Sequence, residues 1–100
     1  MIVPSSLEAI NDAAKTIAGV ARKTPLVPLR SYGLADESLG IHLKLETLQD
    51  VASFKIRGAY NWLSHLTPAE RAVGLNTHSA GNTAQALGYA CATSRGVSRT

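Results

Sequence analysis

The sequence has little cysteine and no long apolar run, and each scarcity excludes a class of protein. A single cysteine among 100 residues excludes an intrachain disulfide and is typical of a reducing compartment, so the expected location is cytoplasmic. The N-terminus MIVPSSLEAI lacks the basic and apolar regions of a signal peptide. No apolar run approaches the roughly 20 residues of a membrane-spanning helix. We therefore expect a soluble protein without a membrane partner.

The sequence contains neither a cluster of basic residues nor residues at the spacing of metal ligands. Ten basic and seven acidic residues give a net charge of +3, but the basic residues form no stripe interleaved with aromatics, so nucleic acid is not an expected partner. The three histidines and Cys91 lack metal-ligand spacing, and we expect no metal site. The length suits one small domain or part of a larger one.

Hydrophobic periodicity predicts a helix and then a strand in the first half of the chain. Ser5 or Ser6 is the expected N-cap of a helix that ends near Ala21. Its predicted buried face consists of Leu7, Ile10, Ala14, Ile17 and Ala21. Pro25 and Pro28 favour extended backbone. The alternation of apolar and polar residues over 41–46, IHLKLE, predicts a strand with one covered face.

The second half is predicted to be mostly helical. A helix over about 53–65 begins at the expected N-cap Ser53, and Thr67-Pro68 with Glu70 predicts a capping box on a short helix. GLNTHS is predicted to be a short strand, and SAGNT to lead into a last helix that ends at Gly96. The predicted inner stripes are Ile56, Ala59, Tyr60 and Leu63 in the first helix and Ala84, Leu87, Gly88 and Cys91 in the last. We expect Gly58 and Gly88 to permit close helix contacts, and Trp62 to be a packing residue.

Alternating helices and strands favour an α/β fold with parallel strand pairing. Two or three strands make a poor sheet, and the final VSRT has the pattern of a further strand. The predicted fold is therefore an incomplete parallel-sheet unit with flanking helices, the first part of a longer chain.

Lys55 lies between Phe54 and Ile56 in the stretch SFKIRGAY. Most lysines on a helix surface extend an apolar stem and leave the ammonium in water. A Ser53 cap, however, would put Lys55 in the first turn, where the helix dipole disfavours a cation. A positive potential and partial desolvation both favour the neutral amine, which is the nucleophile that forms a Schiff base. We therefore interpret Lys55 as a reactive amine.

The segment HSAGNTAQA, residues 78–86, predicts an anion site. Small residues followed by a helix that opens at Asn82 and Thr83 direct free backbone N–H groups to one point. An ordinary turn capped by either residue is the alternative that this motif leaves open. No Gly-Lys-Ser/Thr follows, and the glycine triplet of a dinucleotide site is missing.

Four motifs, RKTPL, KLETLQ, SFKIRGA and SAGNTAQA, occur in this order between about Ile17 and Gly96. They resemble the start of a fold-type II pyridoxal-phosphate enzyme of the threonine/serine dehydratase and serine racemase group. The resemblance implies that residues 1–100 are the N-terminal part of a catalytic domain with the tryptophan synthase beta-like fold, spanning the start of its large and small domains. It also implies pyridoxal 5'-phosphate as cofactor, a small amino acid as substrate, and a homo-oligomer.

The resemblance also implies roles for individual residues. The lysine of the SFK motif carries the cofactor as a Schiff base, which makes Lys55 the catalytic residue. The neighbouring aromatic packs against the pyridine ring, which implicates Phe54, and the loop asparagine bonds the ring hydroxyl, which implicates Asn82. The loop amides hold the substrate carboxylate, and the residues so implicated are Ser79, Ala80, Gly81 and Thr83. Independently of the resemblance, Glu46 and Arg57 are expected to be structural and to pair with neighbours or with each other, since most ion pairs have a structural role.

The implied activity is deamination of L-threonine or L-serine to a 2-oxo acid and ammonia by β-elimination. Racemases of the group carry a serine acid/base where Ala80 stands, and synthases an acidic residue where Ile56 stands, so a lyase is favoured. Thr83 replaces the group's usual histidine and is closer to synthases. A racemase, a synthase and a non-catalytic interaction module remain alternatives, because the hundred residues lack the family's phosphate-binding glycine cluster.

Overall fold

The computed structural model describes residues 4–29 and 40–94 of the chain. Four helices and two short strands occur in these ranges. They are α1 (Leu7–Ile17), β1 (Leu26–Pro28), β2 (His42–Lys44), α2 (Lys55–Ser64), α3 (Pro68–Val73) and α4 (Asn82–Thr93), with a 3-10 turn at Glu46–Leu48. The predicted end of the last helix at Gly96 and the strand predicted for VSRT lie outside the described residues.

Helix α1 begins as predicted and ends early. The hydroxyl of Ser6 accepts a hydrogen bond from the backbone N–H of Ala9 at 3.0 Å, so Ser6 is the cap. The helix stops at Ile17, four residues before the predicted end, because Gly19 takes a left-handed φ of 82° just past the C-cap. The predicted buried face is wrong, since no residue of α1 is buried and Leu7 is 73% exposed.

The two strands form an antiparallel pair. Leu26 pairs with Lys44, Val27 with Leu43, and Pro28 with His42. The predicted strand 41–46 is therefore shorter than expected, and its apolar face remains exposed at Leu43. The strand predicted for GLNTHS, residues 74–79, is reduced to an isolated bridge, so within 4–29 and 40–94 no parallel strand pairs with β2. The chain has mixed helix and strand, as a partial α/β domain would.

The core lies between α2 and α4. Its buried apolar residues are Val51, Ile56, Leu63, Ala86, Ala90 and Cys91. Ile56 and Leu63 lie seven residues apart on one face of α2 and are the largest side chains that are almost fully buried. The predicted α2 stripe is confirmed, with Ala59 and Tyr60 packed against this core.

The predicted inner face of α4 is partly wrong. Cys91 is buried as expected, but Ala84 and Gly88 are exposed, and Ala86 and Ala90 take the inner positions at 0% exposure. The sequence NTAQALGYACAT is small and apolar almost all round, so its periodicity did not separate one face from another. Alanine at both inner positions lets α4 approach α2 closely.

Helix α3 forms as predicted. The Thr67 hydroxyl accepts from the Glu70 N–H at 3.2 Å, while the Glu70 carboxylate accepts from the Thr67 N–H at 2.7 Å. Pro68 occupies the first helical position. No helix within residues 4–29 and 40–94 is long and apolar enough to cross a membrane.

The small core makes Leu63 the most sensitive apolar position. Leu63→Ala should lower the free energy of unfolding by about 2 to 5 kcal/mol, because it leaves a cavity between α2 and α4. Denaturant titration of the full chain measures the change. Val73→Ala is the matched control, since Val73 is 86% exposed and should change stability by less than about 0.5 kcal/mol. Equal effects of the two variants would contradict the assignment of the core.

Candidate functional site

Lys55 is the first helical residue of α2, so its predicted place in the first turn is confirmed. The predicted cap is wrong. Phe54, with helical angles of φ −68° and ψ −12°, holds the N-cap position and makes no side-chain cap bond. Ser53 lies one residue further out, where its buried hydroxyl has no hydrogen-bond partner among the described residues. The change follows from Ala52, whose left-handed φ of 55° turns the chain just before α2.

The surroundings of the lysine amine are open. Lys55 and Phe54 are both exposed, and the Lys55 Nζ lies 5.1 Å from the centroid of the Phe54 ring, within the range of a cation–π interaction. The partial desolvation expected for Lys55 is therefore absent. Its position at the positive end of a helix remains.

Two cavities that share Phe54 are lined by four of the predicted site residues. One, of about 470 Å³, is lined by Phe54, Lys55 and Thr83, and by Gly58, Trp62, Asn76 and Leu87 among others. The other, of about 350 Å³, is lined by Phe54 and Asn82. Phe54 lines both cavities, whereas Lys55 lines only the first and Asn82 only the second. Ser79, Ala80 and Gly81 do not line these two cavities.

The loop before α4, predicted to bind an anion, contains both bonded and free backbone N–H groups. The Ser79 hydroxyl accepts hydrogen bonds from the backbone N–H groups of Gly81 and Ala84, both at 3.2 Å. Within the described part of the chain, the N–H groups of Ala80, Asn82 and Thr83 have no partner. Three donors thus remain at the positive end of α4, where an anion is favoured.

The Glu46 carboxylate joins three of the sequence motifs. Arg57 donates to both of its oxygens, at 2.9 and 2.8 Å, and Thr24 donates to Oε1 at 2.5 Å. Gln49 donates to Oε2 at 3.1 Å. The hydrogen bonds from Arg57, with those from Thr24 and Gln49, lower the pKa of Glu46 from 4.5 to about 2 against the opposing effect of burial. Of the two pairings expected, with neighbours or with each other, the structure shows Glu46 and Arg57 paired with each other.

Gln49 attaches this network to the main chain of the RKTPL motif. Its buried side-chain amide accepts from the Arg22 N–H at 2.7 Å and donates to the Arg22 carbonyl at 2.8 Å, as a neighbouring strand would. Thr24 is buried too. Sequence reasoning assigned no role to either residue, although both lie inside the motifs RKTPL and KLETLQ, which were the available signal.

A second polar cluster attaches α4 to the segment before α2. Asp50 accepts from the Arg22 guanidinium at 2.6 Å and from the Tyr89 hydroxyl at 2.9 Å. The Arg22 hydrogen bond, with that from Tyr89, lowers the pKa of Asp50, and the Asp50 carboxylate raises the pKa of Tyr89. In the described ranges, no group of three or more His, Cys, Asp or Glu residues could hold a metal ion.

Comparison with known proteins identifies the family. The family model described as "Pyridoxal-phosphate dependent enzyme" matches residues 17–99, most of the chain. The chain belongs to the family of pyridoxal-phosphate dependent enzymes. The resemblance seen in its four motifs is thereby confirmed.

Several curated proteins that are similar to this chain are named as L-threonine dehydratases or ammonia-lyases. The chain is 48% identical to the biosynthetic L-threonine dehydratase IlvA of Mycobacterium leprae over 88% of its own length and 20% of that protein. It is 44% identical to the L-threonine ammonia-lyase of Thermotoga maritima over 85% of its length and 21% of that protein. It is 42% identical to the catabolic L-threonine dehydratase TdcB of Escherichia coli K12 over 90% of its length and 27% of that protein. The chain thus spans about a fifth to a quarter of these relatives. No solved structure gave a significant match.

The Glu46 network predicts a specific pH dependence of stability. Because the folded-state pKa of Glu46 is about 2 and its ordinary value 4.5, the stabilisation is complete above about pH 4.5 and is lost as the pH falls towards 2. Glu46→Gln should lower the free energy of unfolding near neutral pH by about 3 kcal/mol. The difference from the wild type should shrink below about pH 4.5. Denaturant titrations across this pH range measure it.

Glu8→Gln is the control, because Glu8 is an exposed residue of α1 and its replacement should change stability by less than about 0.5 kcal/mol. A Glu46→Gln effect that stays constant from neutral to acid pH would show that the ionised carboxylate is not its cause.

Proposed function

We propose that this chain is the N-terminal part of the catalytic domain of a pyridoxal-phosphate-dependent lyase that deaminates L-threonine, L-serine or both. The products would be a 2-oxo acid and ammonia, formed by β-elimination. The observation that carries the proposal is the amine of Lys55 at the start of α2, in one cavity with Thr83 of the anion-binding loop. The names of the relatives, all threonine dehydratases or ammonia-lyases, support the choice of reaction.

The residues present fit the ring and aldehyde of the cofactor. A primary amine, an exposed aromatic ring and a mixed polar and apolar wall surround a cavity within the usual size of a small-molecule site. In this proposal Lys55 Nζ would hold the aldehyde and Phe54 would pack against the ring. The role of Asn82 toward the ring hydroxyl stays a prediction of the resemblance, since Asn82 lines the neighbouring cavity. The hundred residues contain no glycine cluster of the kind that the family uses for the phosphate, so the proposal concerns only the ring and the aldehyde.

The chain's own groups have two tasks in the reaction. When bound, pyridoxal phosphate supplies an aromatic ring that accepts electrons from the amino acid's Cα. The Lys55 Nζ would hold the cofactor and, as a free amine, would be the base that takes the α-proton. The free N–H groups of Ala80, Asn82 and Thr83 hold the substrate carboxylate, and so fix which bond at Cα is aligned for cleavage. The Ser79 hydroxyl and Gly81 shape this loop.

A lyase is favoured over a racemase by the methyl side chain of Ala80. Racemization needs a second proton donor on the opposite face of the substrate, and alanine has no proton to give. Thr83, which takes the place of the family's usual histidine, leaves the choice between threonine and serine to assay. The domain boundaries, the cytoplasmic location and the homo-oligomeric state stay predictions.

The role of Lys55 is tested by adding pyridoxal phosphate to the full chain, reducing with borohydride and locating the pyridoxyl group by mass spectrometry. We expect a visible absorption band and a modified Lys55 in the wild type, and neither in Lys55→Ala, because among the described residues Lys55 is the one lysine that lines the cavity of about 470 Å³. Threonine and serine are then assayed for 2-oxo acid release.

Lys15→Ala is the matched control, since Lys15 is an exposed lysine on α1, and it should label at Lys55 as the wild type does. Labelling spread over several lysines, or unchanged in Lys55→Ala, would contradict the proposal. Cofactor binding without 2-oxo acid release would support the proposed cofactor site and contradict the proposed lyase activity.

The loop geometry predicts a binding defect in Ser79→Ala. This variant removes the acceptor of the Gly81 and Ala84 N–H groups and leaves the loop less fixed, so KM for threonine should rise about tenfold with a smaller change in kcat. Ser79→Thr keeps the acceptor oxygen and should restore most of the affinity. Steady-state kinetics measure both. A KM that Ser79→Ala leaves unchanged would show that this hydroxyl does not organise the anion site.

A further inference from the structure

One face of α2 forms a wall of the cavity that contains Lys55. The α2 residues that line the cavity are Lys55, Arg57, Gly58, Ala59 and Trp62. Four of them, Lys55, Gly58, Ala59 and Trp62, are spaced by three, four and seven positions and therefore lie on one side of the helix. The two ends of this wall carry long side chains, and the middle carries a glycine and an alanine. The wall is thus recessed between the amine and the indole. Trp62, expected to pack, is instead 52% exposed.

Gly58 is not explained by packing within the described structure. A Cβ built at this position would meet no heavy atom within 4 Å, so the close helix contact expected there is wrong. The same is true of Gly88 in α4. Glycine inside a helix is less favourable than alanine because it loses more backbone freedom on folding. Gly58 therefore weakens α2 without any compensating contact among the described residues.

We propose that Gly58 keeps the cavity wall open for the flat aromatic ring of the ligand that Lys55 binds. The inference rests on the proposed function, in which that ligand is pyridoxal phosphate. Residues three apart on a helix are neighbours, so a side chain at 58 would stand beside Lys55, in the space next to the amine. The residue at position 58 then determines which ligands can reach the Lys55 amine. In this proposal the stability that α2 loses through glycine is the cost of keeping that access open.

Gly88 provides an internal comparison. Both glycines are exposed, both lie inside a helix of ten or more residues, and neither would place a Cβ within 4 Å of another group. Only Gly58 lines the cavity with Lys55. Substitution should therefore have the same effect on folding at both positions and a different effect on ligand binding.

The experiment compares Gly58→Ala and Gly88→Ala in the full chain, with two readouts. Without cofactor, both should raise the midpoint of thermal unfolding, by about 2 to 8 °C. In a titration with pyridoxal phosphate followed by absorbance, Gly58→Ala should weaken binding about tenfold or more, because its methyl group overfills the site. Gly88→Ala should bind as the wild type does. Gly58→Leu should weaken binding further than Gly58→Ala, and Gly88→Leu should not.

Each other outcome overturns a defined statement. If the wild type binds the cofactor and Gly58→Ala binds equally well, the inference fails and the proposed function stands. If the wild type does not bind it, the proposed function fails and the inference fails with it. If Gly58→Ala lowers the unfolding midpoint while Gly88→Ala raises it, protein packs against Gly58 in the full chain, and the glycine is a packing residue after all.

Discussion

The Glu46 carboxylate is the interaction on which the arrangement of the site depends. It accepts hydrogen bonds from Thr24, Gln49 and Arg57, which come from three stretches of sequence separated by loops. Arg57 is in α2, two residues after Lys55, so the direction in which α2 begins is tied to this carboxylate. Gln49 and Arg57 also bond the Arg22 carbonyl. A polar cluster therefore sets the position of the proposed reactive amine relative to the rest of the chain.

This dependence follows from the small size of the core. Six buried apolar residues hold α2 against α4, but the segments 22–24 and 46–50 have little apolar surface to bury. Their positions are set by the Glu46 cluster and by Asp50, which joins Arg22 to Tyr89 of α4. Partly buried ion pairs stabilise strongly only while all their members are present, because removing one leaves an uncompensated charge. The positions of the site residues thus depend more on these hydrogen bonds and ion pairs than on apolar packing.

The sequence predicted the features that are local and chemically distinctive. The Thr67 capping box, the position of Lys55 in the first turn of α2 and the structural role of Glu46 and Arg57 needed only a few residues of known chemistry. The Ser53 cap was mispredicted because a left-handed Ala52 moved the helix start by one residue. The inner face of α4 was mispredicted because its residues are small and apolar on several sides. Strand pairing and the exposure of α1 depend on contacts between residues far apart in the sequence, and local periodicity carries no information on such contacts.

The exposure of Lys55 has a consequence for the proposed reaction, which needs a neutral amine. The positive end of α2 is present in the structure, but the desolvation that was expected to favour a neutral amine is not, since Lys55 and Phe54 are both open. In the proposed function, water must therefore be excluded by whatever fills the cavity beside Phe54. An aromatic ring there would cover the amine and the recess at Gly58 at once. The recess and the exposed lysine then have one explanation, because both are surfaces that a flat ligand would bury.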